Sequence, residues 1–508
     1  MSVELTRKTV GAIIAESTVG TPVIPSSATD FIELQDGAFE LTPEFEVLEN
    51  AELRASIGSA KPIIGLENPT GSMSHYLRHS GVEGTAPNYS ELIETAFGAK
   101  VVNATQYDTI SGSTAGTSTA RAVIKVDTGE GAAHQRGQAL LIKDATNGYA
   151  IRNVYSIATD DLSLGFNLAN APAVSTNLGK CIQYKPADSF PSFTWWLYRA
   201  NGNSTEMMSG VRVSEMSIDV TAGEFINTSF SLEGSYYYFD PINITATDTK
   251  LDFLDDATTR VATVTAQVYR DPHQLADAIA TSMNALGSSN TFTCTYSNTT
   301  GKFTITSNGT TLTLKWSSGA NTANTIGDKI GFDTGSDDSA ALTYTSDNAQ
   351  SFVAPYTPSY DSSSPLVAKD NEVMIGAYSN YACFCVQNMT FTLSNEIQPV
   401  PCVCSESGIS EKVPTGRVVT VEMTAILEKY DAQKFKDFRE GNTISFAYNF
   451  GTQTGGNWTA GKCGNIYIPD ATITAFQVTD SDGIVALSMT IQAFVDSNGN
   501  GEVYLNFV

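Results

Sequence analysis

The sequence predicts a mainly β protein: two tandem β-sandwich or barrel domains, each with a short flanking helix, plus an inserted small β-barrel and an inserted α+β module. Three observations predict it. Charged residues are only 16% of the 508, below the roughly 25% of an average soluble protein; Thr, Ser, Asn and Gly fill the gap, a composition of strands and polar turns. Apolar and polar residues alternate over many short runs, the period of half-buried antiparallel strands. Finally, one ordered set of landmarks occurs twice.

The first set opens with the alternating run Phe31 to Leu41. Lys61 and Pro69-Thr70-Gly71 follow, then a strand-like run. A helix is expected from about Asn88 to Phe97, with Asn88 as N-cap, Leu92, Ile93, Ala96 and Phe97 on its apolar face, and Gly98 past its end. The second set opens with Asn388 to Leu393, then Lys412, Pro414-Thr415-Gly416 and the strand Val418 to Ile426. Its helix is expected from about Asp431 to Arg439, capped by Asp431, with Phe435 and Phe438 on one face and Gly441 at the end.

Two hairpins continue the match. Val213 to Val220 turns at Ala222-Gly223 into Ile226, Thr228, Phe230 and Leu232; Thr472 to Val478 turns at Asp482-Gly483 into Val485, Leu487, Met489 and Ile491. Each second strand alternates cleanly. The first set is longer by a stretch rich in short strands, with a hairpin signal at Asn147-Gly148. A surface insertion of that length costs little closure entropy. Another extra module carries a helix from about Pro272 to Leu286, a hairpin from Phe292 to Thr306, and Trp316. The domains read as 1–103 with 188–240 (first repeat, discontinuous), 104–187 (inserted β-barrel), 241–350 (inserted α+β module) and 351–508 (second repeat with an extended Ser-, Pro- and Tyr-rich arm).

The net charge of −25 argues against gripping nucleic acid through its phosphates, which needs clustered Lys and Arg. Segment 104–187 carries a net +1 and segment 241–350 a net −5, which leaves −21 on the repeats. No run of about 18 apolar residues offers a membrane span. MSVELTRKTVGAII has no apolar run of signal-peptide length, so folding in a cytosol with mostly reduced cysteines is expected.

The order of these landmarks resembles the tail tube (major tail) proteins of long-tailed, siphovirus-like bacteriophages. The resemblance rests on Glu16-Ser17-Thr18-Val19-Gly20-Thr21-Pro22 as an opening arm and on the helix end Thr95-Ala96-Phe97-Gly98. Ser192-Phe193-Thr194-Trp195-Trp196-Leu197-Tyr198 and Gly223-Glu224-Phe225 add to it. The module at 241–350 is similar to inserts of phage tail and flagellar-hook-like proteins through Thr300-Gly301-Lys302-Phe303 and Gly331-Phe332-Asp333. The resemblance implies a virion structural protein, made in the host bacterial cytoplasm, whose rings stack into the conduit for tape-measure protein and ejected DNA. It implies the duplicated variety, with three chains supplying six domains per ring. Implied partners are further copies of itself, the tape-measure protein, tail terminator and tail-tip proteins, and genomic DNA passing without specific binding. The inserted modules are expected outside the wall, and a net negative lumen is expected.

A β-rich adhesin or receptor-binding protein is the alternative, since it shares the Thr- and Ser-rich composition; a depolymerase-like enzyme would need clustered aromatic and carboxylate sites. No nucleophile elbow, Walker loop or dinucleotide fingerprint occurs. No catalytic, cofactor-binding or metal residue and no cofactor is assigned. His75 and His79 have a spacing that suits a metal on a helix but only a shared face on a strand. Cys383, Cys385, Cys402 and Cys404 would bring four thiols together if their two runs form a hairpin. They read as half-buried strand residues, late disulfides or metal ligands.

Overall fold

The computed structural model describes residues 5–508 apart from 53–57, 112–119, 201–203, 351, 361, 378–379, 428–431, 482 and 497–498. Eight strands build its main wall: β1 (Phe39–Thr42), β2 (Thr70–Tyr76), β3 (Ser204–Thr221), β4 (Asn227–Glu233), β5 (Val386–Pro401), β6 (Ile409–Ile426), β7 (Asn457–Ser481) and β8 (Ile484–Ala493). Every neighbouring pair is antiparallel, and the order across the wall is β1-β2-β4-β3-β5-β6-β8-β7. The same four-strand order therefore occurs twice. Each half also carries a one-residue bulge at the same place. The register of β3 against β4 slips between Val213 and Glu215, and that of β7 against β8 slips between Ile473 and Ala475.

Alternation explains why these runs are strands. Met73, Phe230, Leu232, Met216 and Ile218 fill one face of the first half; Phe391, Val421, Met423, Met489 and Ile491 fill the same face of the second. All of them belong to one hydrophobic core that runs through both halves. Within it the Pro-Thr-Gly of the first half has a steric reason. A Cβ on Gly71 would lie 2.6 Å from Cζ3 of Trp195, which is fully buried. Gly71→Ala is expected to cost about 1–3 kcal/mol by overpacking, read as a lower urea midpoint at unchanged slope.

Three helices accompany the strands among the described residues. α1 (Ser90–Phe97) buries Leu92, Ile93, Ala96 and Phe97 and ends on Gly98 at a φ of 107°. Asn88 is not its cap: Tyr89 holds that position without a side-chain bond, and the Asn88 side-chain NH2 donates to the Glu33 carboxylate at 2.6 Å. α2 (Pro272–Asn284) stops short of Leu286 and is capped by Asp271, whose carboxylate accepts from His273 N and Gln274 N. α3 (Ala432–Glu440) follows β6; its expected cap, Asp431, lies outside the described residues.

The two modules have cores of their own. Residues 107–178 form a six-stranded sheet whose end strands are bridged through Thr109 and Val126, over a core that includes Leu140, Val154 and Leu162. Residues 242–345 enclose Leu251, Phe253, Leu275, Ile279 and Trp316. The first module is fixed to the second half by buried amides: Asn153 donates to Asn465 at 2.6 Å, and Asn506 donates to the Gly137 carbonyl at 3.1 Å. Such groups are costly to bury unless paired, so they set one docking geometry. The C-terminal strand Tyr504–Phe507 lies between Cys181–Pro186 and β7, pairing with both. At the other terminus the Glu16 carboxylate ties the opening arm down. It accepts from Ser192 Oγ, Thr194 Oγ1, Gly20 N and Gly210 N at 2.7–2.8 Å.

Candidate functional site

The face of the wall opposite the core is largely polar, with Val418 the half-exposed aliphatic exception opposite Ser394. Cross-strand pairs share a face, so the register reads it off directly. Ser74 and Ser229 bond hydroxyl to hydroxyl at 3.0 Å. One row runs Asn227, Asp219, Thr390, Glu422, Thr490 across five strands and both halves. At the β3–β5 joint the Thr390 hydroxyl donates to the Asp219 carboxylate at 2.8 Å.

Exposed charge across this face is negative. Glu40, Glu215, Asp219, Glu233, Glu396 and Glu422 stand on it in register with Ser, Thr, Asn and Gly. Among the described residues, the paired wall segments present Lys or Arg there only at one rim. Arg417 turns into the protein, with its guanidinium against the Ala187 carbonyl and Glu502. Cations appear only at one rim. Lys412, wholly buried, holds Glu233 at 3.2 Å, and Arg212 stands opposite Glu233.

The wall has two open sides. Among the described residues, β1 pairs only with β2, and the part of β7 beyond Thr474 pairs only with β8. An exposed sheet edge is a template for another strand. Beside the β7 edge lie Val478, 47% exposed, and Phe435 of α3, 40% exposed. The two ends of the wall also carry apolar side chains. At the rim near Thr70, the hairpin Phe45–Leu48 with Ile63–Glu67 exposes Phe45, Val47, Leu48, Ile63 and Ile64. At the opposite rim the β7–β8 turn exposes Ile484 and Val485.

The thiols do not gather. Cys385 and Cys402 flank the two ends of β5, and a 16-residue strand at about 3.3 Å per residue holds them some 50 Å apart. Cys402 and Cys404 lie at the far tip of the β5–β6 hairpin, with Cys404 and Cys385 exposed. The two runs do not form a hairpin with each other, because Val386–Pro401 is one unbroken strand between them, and Cys385, Cys402 and Cys404 lie outside strands rather than as half-buried strand residues. The Cys383 side chain lies outside the described residues.

The histidines do not converge on a site either. His75 is on β2, buried against Tyr89 and Phe230; His79 is buried beyond the strand end; His134 lies against Tyr107; His273 faces Asn298. Burial lowers the His75 pKa to about 4. An unfolded His titrates near 6.5. Between those values the unfolded chain binds a proton that the folded chain refuses. Stability is therefore full above pH 6.5 and falls as pH drops toward 4, by about 3 kcal/mol for this shift. A His75→Phe variant is expected to lose that part of the acid slope, measured as urea midpoints at pH 7 and 4.5.

Sequence reading located the strands of this face and their alternation. It missed the open edges, because nothing local marks a strand as lacking a neighbour. A protein-family model described as phage tail tube protein matches residues 6–271, just over half of the chain. Among solved structures, the SPP1 tail tube, determined by solid-state NMR with cryo-EM, is similar over 28% of this chain and 80% of its own, at 15% identity and a TM-score of 0.22. The virion of a native gene transfer agent particle is similar over 24% and 92%, at 12% identity and a TM-score of 0.19. TM-scores this low do not establish a shared overall fold. No curated protein matches the sequence.

Proposed function

Because the chain belongs to the phage tail tube protein family, we propose that it is the wall subunit of a phage tail tube in which three chains close each ring. Each chain supplies two copies of one tube fold, and the rings stack into a conduit. The observation that carries this reading is the four-strand unit occurring twice, joined edge to edge through β3 and β5, with an open strand edge on each side. A repeated unit with complementary edges forms a closed ring when its rotation closes.

Size favours three chains over six. Three walls of eight strands at about 4.8 Å spacing give a circumference near 115 Å, or roughly 37 Å between backbones before strand tilt is counted. Side chains narrow that to a channel suited to one duplex. Six chains would double it. The polar face lines this channel, because it is the one broad wall face without a covering layer, and its carboxylates keep DNA from adhering as it passes. Tape-measure protein would occupy the same channel before DNA, with terminator and tip proteins closing its ends. The exposed apolar hairpin at one rim and the apolar turn at the other supply the contacts between stacked rings.

Cryo-EM of the assembled protein tests the reading. Three chains per ring, with the Ser- and Thr-rich face inward, is the expected result. Six chains per ring, or that face turned outward, would refute it.

A further inference from the structure

The chain contains one example of the joint that a ring needs, and we infer that the joint between chains copies it: β7 of one chain pairs antiparallel with β1 of a second copy, with Gln477 opposite Thr42, Val478 opposite Leu41 and Thr479 opposite Glu40. The inference rests on the ring reading above and adds to it a partner strand and a register.

The shared bulge fixes the correspondence on one side. Ser214 is the extra residue between Val213 and Glu215, and Thr474 the extra residue between Ile473 and Ala475. Counting on from these bulges, Ser217 corresponds to Gln477, Ile218 to Val478 and Asp219 to Thr479. On the other side, Phe230 stands opposite Met73, which stands opposite Phe39; Met489 stands opposite Met423, which stands opposite Met389. Phe39 therefore corresponds to Met389, Glu40 to Thr390, Leu41 to Phe391 and Thr42 to Thr392. The internal joint pairs Ser217 with Thr392, Ile218 with Phe391 and Asp219 with Thr390. Transferring those pairs to the chain ends gives the register stated.

The chemistry of the transferred pairs fits, although the correspondence was built from backbone register alone. On the core side, Ile218 and Phe391 are buried against each other's strands. Their counterparts Val478 and Leu41 are both aliphatic, and Val478 is the one left half exposed in a single chain. On the polar face the internal joint is closed by a threonine hydroxyl donating to an aspartate carboxylate. The outer joint offers the same two groups with the strands exchanged: hydroxyl on Thr479, carboxylate on Glu40. A slip of one residue would turn Val478 to the polar face. A slip of two would place Gln477 or Ser481 opposite Glu40, so only the stated register repeats the threonine–carboxylate pair of the internal joint.

The surroundings repeat as well. Inside the chain, Asn395 of β5 in the second half reaches α1 and donates to the Ala96 carbonyl at 2.9 Å. Every apolar side chain of α1 is buried. The corresponding helix α3, beside the open edge of β7, still exposes Phe435. A neighbouring chain seated in the stated register covers it.

Mixed assembly with cysteine pairs tests the joint. Chains carrying Thr479→Cys are mixed with chains carrying Glu40→Cys, assembled, oxidised with diamide and run on a non-reducing gel. Gln477→Cys mixed with Thr42→Cys is the second pair, which keeps Thr479 and Glu40 intact. Each single variant alone gives the background from native cysteines. Thr479→Cys mixed with Leu41→Cys places the thiols on opposite faces. At least one matched pair is expected to give a cross-linked dimer tenfold above background, with the mismatched pair at background. Three-chain rings in which neither matched pair rises above background, or in which the mismatched pair cross-links better, would overturn the register and leave the ring reading standing. Rings of any other chain number would overturn the ring reading itself, and the joint with it.

Discussion

Tubes assembled from a chain carrying Glu215→Lys, Asp219→Lys and Glu422→Lys are expected to bind duplex DNA tightly at low salt and to release it as salt rises, whereas tubes of the natural sequence do neither. The three positions lie on β3 and β6, and the only cation in the paired register of the natural face among the described residues, Arg212, is buried at its rim opposite Glu233. Three chains would place nine lysines around each ring. A surface that neutralises 6–10 phosphates loses about 10³–10⁵ in affinity between 50 and 200 mM salt. The natural carboxylates act over a Debye length of about 8 Å at physiological salt, which reaches a duplex in a channel of the proposed width. Fluorescent-duplex binding at several salt concentrations, with microscopy to confirm assembly, gives the measurement. Variant tubes that assemble and still ignore DNA would show that this face does not meet it. Because the Thr390 hydroxyl loses its acceptor in Asp219→Lys, the Glu215→Lys and Glu422→Lys double variant serves as the milder comparison.

Removing the last five residues is expected to abolish folding of the chain. Tyr504, Leu505, Phe507 and Val508 are each almost fully buried, and truncation of one large core side chain typically costs 2–5 kcal/mol. Their sum reaches the whole stability of an ordinary domain, about 5–15 kcal/mol. The strand also bridges Cys181–Pro186 and β7, so its loss leaves two rows of backbone groups unpaired in the interior. Asn506 goes with it, and with it a bond that docks the inserted sheet. The single variant Phe507→Ala, expected to cost about 3–5 kcal/mol, keeps the backbone pairing and separates side-chain packing from strand loss. A truncated chain with natural circular dichroism and an unchanged urea midpoint would refute the bridging role.

The sequence by itself determined what depends on near neighbours. The alternation in Ile226 to Leu232 and in Val485 to Ile491 marked both second hairpin strands, because side chains two apart share a face whatever lies beyond. Gly98 and Gly441 marked helix ends for the same local reason. Of the recurring landmarks, the two hairpins fall at corresponding places, but the two Pro-Thr-Gly runs do not: with Met73 corresponding to Met423, Gly71 falls at Val421 rather than Gly416. The tertiary structure alone decided partnership. Nothing in Val213 to Val220 says that β5 will lie beside it, and nothing in Tyr504–Phe507 says that it will fill a slot between strands far away in sequence. Asn88 fits a cap by type, yet Glu33, from a distant segment, takes its amide. The cysteines fit a cluster by spacing, yet one long strand sets them apart. The open edges of β1 and β7 belong to this second class: an edge is defined by the strand that is missing. Strand pairing and burial are long-range, and the free energy that chooses among partners comes from filling one shared core.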